Sequence, residues 1–380
     1  MHDAGPAQRA GPASHVLVGV MAKKFHVLIL GASYGSLLAT KLLMAGHDVT
    51  LVCREQTADL IRREGTRVRV QVKGRQGWVE IDSRAAPGTL DALSPQQVDP
   101  TRYDLVCLAM QEPQYSAPGV RELMRSVAAA RVPCMSIMNM PPLPYLARIA
   151  GLDPSGLAGA YLEPALWEGF EPGLMTLCSP DPQAFRPPEE PPNVLQVGLP
   201  TNFKVAQFAD AAHNTMLAQL DADISAARWT VEGEPLDIPV KLKLHSSLFV
   251  PLAKWAMLLT GNYRCVLDDA VQPIQQAVHA DLAQSRAVYA WVSDLCCALG
   301  ASPDDMVAFD KYASAAMGLL KPSSAARALA AGAQHVERID ALIKLVAAQK
   351  GQQSDSVDAT VARVDAWLAR NRQAAASRAH

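Results

Sequence analysis

The stretch FHVLILGASYGSLLATKLLMAGHDVTLVCR, residues 25–54, constrains the fold of this chain more than any other. The short apolar run His26 to Leu30 stops at Gly31, as a buried parallel strand does. Residues 36–45 then carry leucines at helical spacing, and Val49 to Val52 predicts a second strand. This order predicts a βαβ unit, whose first turn presents backbone N–H groups and the positive end of a helix dipole to an anion.

The turn reads Gly31-Ala32-Ser33-Tyr34-Gly35-Ser36. The dinucleotide fingerprint has glycine at the first, third and sixth positions, and only the first is matched directly. With one loop residue deleted, Gly35 takes the place of the last glycine, which lets the helix pack closely on the strand. We therefore predict that these six residues bind a dinucleotide. The alternative is a doubly wound fold whose glycine turn binds none.

Cys53 and Arg54 end the second strand, where a protein that prefers NAD places an acid for the ribose 2′-hydroxyl. An arginine in place of that acid favours the 2′-phosphate of NADP. We therefore predict NADPH as the cofactor and Arg54 as a cofactor-binding residue. Arg54 as a solvated charge at a strand end, next to Glu55, is the alternative.

Composition is that of a soluble enzyme with two domains. The chain has 380 residues, 49% of them hydrophobic and 19% charged. A formal charge of −2 gives no electrostatic reason to bind nucleic acid or an anionic membrane. We expect a cytoplasmic protein, because residues 1–19 lack the pattern of a signal peptide. Residues 1–23 are predicted to be a mobile N-terminal extension, with Met21 as an alternative start.

The seven cysteines show no CxxC or Cys/His metal spacing, so we expect no metal site. They are Cys53, Cys107, Cys134, Cys178, Cys265, Cys296 and Cys297.

Two more buried strands are predicted over residues 105–110 and 134–138. Ligands of open α/β sheets collect at the carboxyl ends of such strands, which places Met110, Gln111 and Asn139 beside the glycine turn. Asn139 as a turn residue before two prolines is the alternative. Residues 179–192 are predicted to be a surface loop, and residues 193–198 a strand that closes the sheet of the first domain.

From about Lys204 onward helical spacing takes over. Helices are predicted over residues 205–219, 244–259, 277–299, 302–320, 323–349 and 357–371. The expected fold is therefore α/β, with a Rossmann-type doubly wound domain followed by an all-helical C-terminal domain. We expect an NADP-binding domain over residues 24–203 and a helical domain for substrate binding and dimerisation over residues 204–380, with the substrate in the cleft between them.

Several segments resemble, in order, the landmarks of the ketopantoate reductase family. They are the glycine turn with its flanking strands, DLVCLAMQEPQY at 104–115, IMNM at 137–140, KWAMLLTGNY at 254–263 and PSSAARALAAGAQHVERID at 322–340. The resemblance implies a 6-phosphogluconate-dehydrogenase-like architecture, a homodimer and NADPH-dependent reduction of a 2-keto acid. It places Asn139 between cofactor and substrate, and Ser323 or Ser324 among the substrate-binding residues.

Three positions depart from the family pattern. The family's lysine after the strand, which assists cofactor binding, falls on Gln111. Its catalytic lysine, in a W-x-K-L pattern, falls on Met257, which cannot donate a proton. Its acid, in a Glu-Ile-Asp pattern, falls on Arg338, with Glu337 one residue earlier. Ketopantoate is therefore not the expected substrate.

Another group must then protonate the carbonyl oxygen. Lys254 is the first candidate, because it lies one helical turn before Met257. A solvated helix lysine is the alternative for Lys254. Glu163 and the segment with Lys241, Lys243 and His245 are weaker candidates.

Two further hypotheses stay open beside a divergent NADPH-dependent oxidoreductase. The first is a catalytically silent NADP-binding regulatory protein. The second is an imine reductase of the opine type, which also pairs a Rossmann domain with a helical one. The sequence predicts catalytic roles for Lys254, Asn139, Ser323, Ser324 and Glu337.

Overall fold

The computed structural model describes residues 23–378, so the predicted extension lies outside the described residues except for Lys23. Within this range the chain alternates strands and helices to residue 245 and is helical afterwards. The strands are β1 (His26–Leu30), β2 (Asp48–Val52), β3 (Arg67–Val70), β4 (Val79–Asp82), β5 (Leu90–Leu93), β6 (Leu105–Leu108), β7 (Cys134–Ser136), β8 (Met175–Ser179), β9 (Gln183–Phe185), β10 (Val194–Leu199), β11 (Phe203–Ala206), β12 (Trp229–Val231), β13 (Glu234–Leu236) and β14 (Leu242–His245). The helices are α1 (Gly35–Met44), α2 (Glu55–Glu64), α3 (Val120–Ala130), α4 (Leu143–Leu146), α5 (Ala211–Ala226), α6 (Lys254–Met257), α7 (Ile274–His279), α8 (Leu282–Ala298), α9 (Phe309–Ala316), α10 (Ser324–Ala330), α11 (Ile339–Gln349) and α12 (Asp355–Arg378).

The main sheet has eight strands in the order β14-β11-β8-β7-β6-β1-β2-β5. Neighbouring strands are parallel except for β8 and β11, which pair antiparallel. The order reverses between β1 and β6, so the carboxyl ends of these two strands form the switch point at which α/β sheets bind ligands. This confirms the predicted Rossmann-type domain, followed by a helical region.

Alternating side chains of β1 enter two different cores. Val27 and Ile29 pack with α1 on one face of the sheet. Leu28 and Leu30 face the other side, in an apolar cluster that includes Trp255 of the helical region. Because one cluster extends from the sheet into the helices, the two parts share buried surface rather than a polar linker. No helix of the described residues is long and apolar enough to cross a membrane.

The predicted strand over residues 193–198 exists, but it does not close the main sheet. It is β10, in a second sheet of order β4-β3-β10-β9. The predicted loop over residues 179–192 contains β9, the edge strand of that second sheet. Strand pairing is set by distant partners, which the local pattern of a strand does not reveal.

The main sheet also continues beyond residue 204, where we expected strands to end. β11 and β14 pair in parallel at its edge, and α5 lies between them in the chain. By sheet membership, we propose a domain boundary near residue 246 rather than residue 204.

Several predicted helices are interrupted. The predicted helix over residues 323–349 consists of α10 and α11, separated by residues 331–338. Gly332 ends α10 with a φ of +90°, and the N–H of Ala333 donates to the carbonyl of Ala328. This is the Schellman arrangement, in which a left-handed glycine stops a helix. The predicted helix over residues 244–259 is replaced by a strand end, a 3-10 turn, α6 and a π-helix, Leu258–Tyr263.

Gly35 lies where α1 passes close to β1. A Cβ added at this position would lie 2.7 Å from the Cγ2 of Ile29 and 3.3 Å from the Cβ of Ala109. We therefore expect Gly35→Ala to lower the free energy of unfolding by about 1–3 kcal/mol, the usual cost of overpacking. Chemical denaturation measures the change.

Gly173→Ala is the matched control, because an added Cβ meets only the Cβ of Ala209 at 3.8 Å. Equal stabilities of the two variants would show that α1 and β1 are not closely packed at Gly35.

Candidate active site

The glycine turn is held in a shape that only glycine allows. Gly31 has a φ of +110°, and its N–H donates to the carbonyl of Val52 at 2.9 Å. A Cβ at Gly31 would lie 2.7 Å from the Cγ of Met110 and 2.8 Å from the carbonyl oxygen of Ala109. The turn thus packs directly on the end of β6.

The turn fits the phosphates of a dinucleotide. The N–H groups of Ala32, Ser33 and Tyr34 find no hydrogen-bond acceptor among the described residues. They lie at the N-terminus of α1, where free N–H groups and the helix dipole favour an anion. Ser36 contributes no free hydroxyl, since its Oγ donates to the carbonyl of Ala32 at 2.6 Å.

Arg54 is exposed at the start of α2, directly after β2. Arg186, which the sequence analysis did not single out, donates from Nη2 to the carbonyl of Ala32 at 3.1 Å. The Tyr34 hydroxyl donates to the carbonyl of Pro182 at 2.7 Å. The residues directly before and after β9 therefore contact the glycine turn.

Asn139 and Glu337 meet beside the carboxyl ends of β6 and β7. The Nδ2 of Asn139 donates to Oε2 of Glu337 at 3.4 Å, although the two residues are 198 positions apart. The backbone N–H of Glu112 donates to Oε1 of Glu337 at 3.3 Å. Within the described residues the buried Oδ1 of Asn139 has no hydrogen-bond partner, so it is free to accept a bond from a ligand.

Glu112 and Glu337 are both carboxyl groups in the interior, with 2% and 7% of their surface exposed. Burial raises the pKa of Glu337 to about 7 against the opposing effect of its hydrogen bonds. Burial likewise raises the pKa of Glu112 to about 7, and the charge of Glu337 adds to the increase. A carboxyl with such a pKa exchanges protons near neutral pH, as a general acid must.

A small cleft opens next to this pair. Its lining contains both polar and apolar residues and consists of Gln111, Asn139, Leu258, Asn262, Tyr263, Ser324, Ala325, Val336 and Glu337. Four of the predicted site residues therefore lie together: Gln111, Asn139, Ser324 and Glu337.

Ser323 takes a structural role instead. Its Oγ donates to the carbonyl of Asn262 at 2.7 Å and accepts the N–H of Ala326, which caps α10. Of the two serines that the sequence offered, Ser324 is the exposed one on the cleft.

Lys254 lies outside the lining of the cleft. Its Nζ donates to the carbonyl of Pro180 at 2.6 Å and lies 3.9 Å from Oδ1 of Asp181. Burial lowers the pKa of its ammonium, and the charges of Asp181 and Glu337 act in the opposite direction. The ammonium is thus near Glu337 but engaged elsewhere.

Three of the four weaker candidates form ion pairs, and they lie outside the lining of the cleft. Lys241 pairs with Asp237, Lys243 with Asp221, and Glu163 with Arg121.

Glu112, Asn262 and Tyr263 are site residues that the sequence analysis missed. The Tyr263 hydroxyl donates to the backbone carbonyl of Glu337 and accepts the N–H of Ile339. Asn262 and Tyr263 lie in the π-helix, a form that is common at functional sites. Of these three residues, only Glu112 could have been predicted from the sequence, because it lies two residues after Met110 at the carboxyl edge of the sheet.

Residues 27–137 match the family model described as "Ketopantoate reductase PanE/ApbA". The resemblance to the ketopantoate reductase family is confirmed. The match covers the glycine turn and strands β1 to β7, and no curated protein matches the chain.

Solved structures share the fold over almost the whole chain. The 2-dehydropantoate 2-reductase from Methylococcus capsulatus is 13% identical, with a TM-score of 0.62, and the alignment covers 91% of this chain and 97% of that one. A dimeric ketopantoate reductase from Staphylococcus aureus is 12% identical, with a TM-score of 0.59 and coverage of 91% and 99%. D-mandelate dehydrogenase with NADH and anilino(oxo)acetate is 13% identical, with a TM-score of 0.60 and the same coverage. At these identities the similarity establishes the fold and not the substrate.

The raised pKa of Glu337 predicts how stability depends on pH. The folded state holds a proton that an unfolded glutamate releases near its ordinary pKa of 4.5. Stability from this group is therefore lost as the pH rises from about 4.5 to about 7. We expect the wild type to lose on the order of 2 kcal/mol more than Glu337→Gln between pH 5 and pH 8.

Denaturant unfolding at the two pH values measures this difference. Glu189→Gln, a change at an exposed glutamate, serves as the control and should follow the wild type. Parallel pH profiles for the wild type and Glu337→Gln would contradict the assignment.

Proposed function

We propose that this protein is an NADPH-dependent oxidoreductase that transfers hydride to or from a 2-keto acid, or a related carbonyl or alcohol, other than ketopantoate. The observation that carries the proposal is the Asn139–Glu337 pair beside the carboxyl ends of β6 and β7, on the same edge of the sheet as the glycine turn. It combines a hydrogen-bond donor and a buried carboxyl at the place where a dinucleotide would bring its reactive end.

The glycine turn is the proposed holder of the cofactor. The free N–H groups of Ala32, Ser33 and Tyr34 would bind its phosphates, with Met110 and Gln111 at the end of β6 beside it. A bound nicotinamide dinucleotide supplies the hydride. The remaining chemistry belongs to the residues of the cleft.

Glu337 is the proposed proton donor. In reduction, the carbonyl carbon accepts a hydride and its oxygen accepts a proton, so one neutral acid is needed near that oxygen. Glu337 is protonated for part of the time at neutral pH and lines the cleft. Lys254 is less well placed, because its ammonium is bound to the carbonyl of Pro180.

The substrate would be held by neutral polar groups. Ser324, Asn262 and Gln111 line the cleft. A lysine is missing at Met257, which is half-buried against an apolar cluster. This arrangement supports a substrate less polar than ketopantoate.

The activity is tested by NADPH oxidation with a panel of 2-keto acids, including ketopantoate and aromatic members. We expect turnover with at least one acid of the panel, and little or none with ketopantoate. Glu337→Gln should lower kcat about 10²- to 10⁴-fold, the usual contribution of a general acid. The control Glu189→Gln should have the kcat of the wild type.

Other results would identify the alternatives. Cofactor binding without turnover on carbonyls or imines would indicate a silent NADP-binding protein, and turnover that needs an added amine would indicate an imine reductase. Loss of activity in Lys254→Ala, with activity kept in Glu337→Gln, would make Lys254 the proton donor instead.

Arg54 generates a separate prediction about the cofactor. Because its guanidinium follows β2 where an acid would select NAD, wild type should bind NADPH more tightly than NADH. Arg54→Ala should weaken NADPH binding by about 1.5–3 kcal/mol and leave NADH binding nearly unchanged. Titration of both cofactors by calorimetry measures this, and equal affinities in wild type would refute the NADP preference.

A further inference from the structure

The segment after β8 returns to the glycine turn. Residues 180–186 follow the carboxyl end of β8 in the main sheet and include β9 of the second sheet. Two contacts fix this segment against the turn: the Tyr34 hydroxyl on the carbonyl of Pro182, and Nη2 of Arg186 on the carbonyl of Ala32. Arg186 therefore reaches the cofactor turn from outside residues 27–137, the part that matches the family model.

Arg186 also faces the end of β2. Burial lowers the pKa of its guanidinium, the charge of Arg54 lowers it further, and Cys53 acts in the opposite direction. Burial raises the pKa of the Cys53 thiol to about 11. This thiol is therefore neutral at pH 7 and cannot balance the positive charge of Arg186. The charges of Arg54 and Arg186 thus act on each other near the carboxyl end of β2.

Neither guanidinium has an acidic partner in the part of the chain that the structure describes. No carboxylate of residues 23–378 lies within 4.0 Å of Arg54 or Arg186. Some other arginines of the domain do have acidic partners: Arg62 pairs with Asp59, Arg69 with Glu80 and Glu190, and Arg84 with Asp82. Two like charges without a counter-charge repel each other, and an anion bound between them would remove that cost.

We propose that Arg186, together with Arg54, binds the phosphate on the adenosine ribose of NADPH. This inference rests on the proposed function and assigns one part of its cofactor site. The position decides which phosphate is bound, because the end of β2 faces the ribose, whereas the N–H groups of the turn serve the pyrophosphate. Arginine suits this role, since its planar fork binds phosphate through two parallel hydrogen bonds.

The test compares ligands that differ only in this phosphate. Dissociation constants are measured by calorimetry for NADPH and NADH, and for adenosine 2′,5′-bisphosphate and adenosine 5′-monophosphate. The variants are Arg186→Ala, Arg186→Lys and, as control, Arg102→Ala, which replaces an exposed arginine of the same domain.

We expect Arg186→Ala to weaken NADPH and the bisphosphate about 10- to 100-fold, with less than about 3-fold change for NADH and the monophosphate. Arg186→Lys should fall between Arg186→Ala and wild type, because it keeps the charge and loses the fork. Arg102→Ala should match wild type. Unchanged NADH binding also shows that the turn of the variant is folded.

Two results would overturn the inference. Equal losses for NADPH and NADH would place Arg186 on the pyrophosphate or in the structure of the turn, and unchanged NADPH binding would remove it from the site. If the unaltered protein binds neither cofactor, the proposed function fails as well, which separates that outcome from a failure at Arg186 alone.

Discussion

The free energy of keeping the Glu337 carboxyl in the interior is the constraint on which the candidate site depends. An ionised carboxylate at 7% exposure is costly unless it is paired, and the ammonium of Lys254, whose charge acts on Glu337, is bound to a backbone carbonyl. Glu337 is held instead by two N–H donors of the first domain, from Glu112 and Asn139. The same carboxyl therefore joins the two domains and stays partly protonated at neutral pH.

Met257, at the position where the family resemblance predicts a lysine, is consistent with this arrangement. A lysine there, in addition to Lys254, would place a second ammonium in the same region and would favour the ionised form of nearby carboxyls. With methionine, the α6 segment and the π-helix present an apolar side chain and the Asn262 amide. Under the proposed function, acid chemistry in this cleft would depend on a neutral carboxyl, which meets the same requirement for a proton near a carbonyl oxygen.

The sequence was sufficient for the βαβ unit, because its strand pattern, glycine turn and helix spacing are all local. The sequence also predicted that Gly35 lets α1 pack closely on β1, and the short distance from Gly35 to Ile29 supports that prediction. The sequence was insufficient for residues 323–349, where apolar spacing predicted one continuous helix. Gly332 ends α10 instead, and the non-helical residues after it carry Glu337 into the cleft. The element that the helical pattern concealed is thus the one that positions the candidate acid.

Contacts between residues that are far apart in the sequence could not be predicted either. Nothing local to Arg186 or Glu112 indicates a partner that lies more than 100 residues away, as Ala32 and Glu337 do. Residues 180–186 were expected to form an exposed loop, yet the carbonyl of Pro182 holds the glycine turn through Tyr34, and that of Pro180 holds Lys254. One short segment therefore contacts both the glycine turn and the first residue of α6. In each contact the acceptor is a backbone carbonyl, which every residue has. The geometry therefore depends on the path of the chain rather than on side-chain type, and a sequence pattern does not predict it.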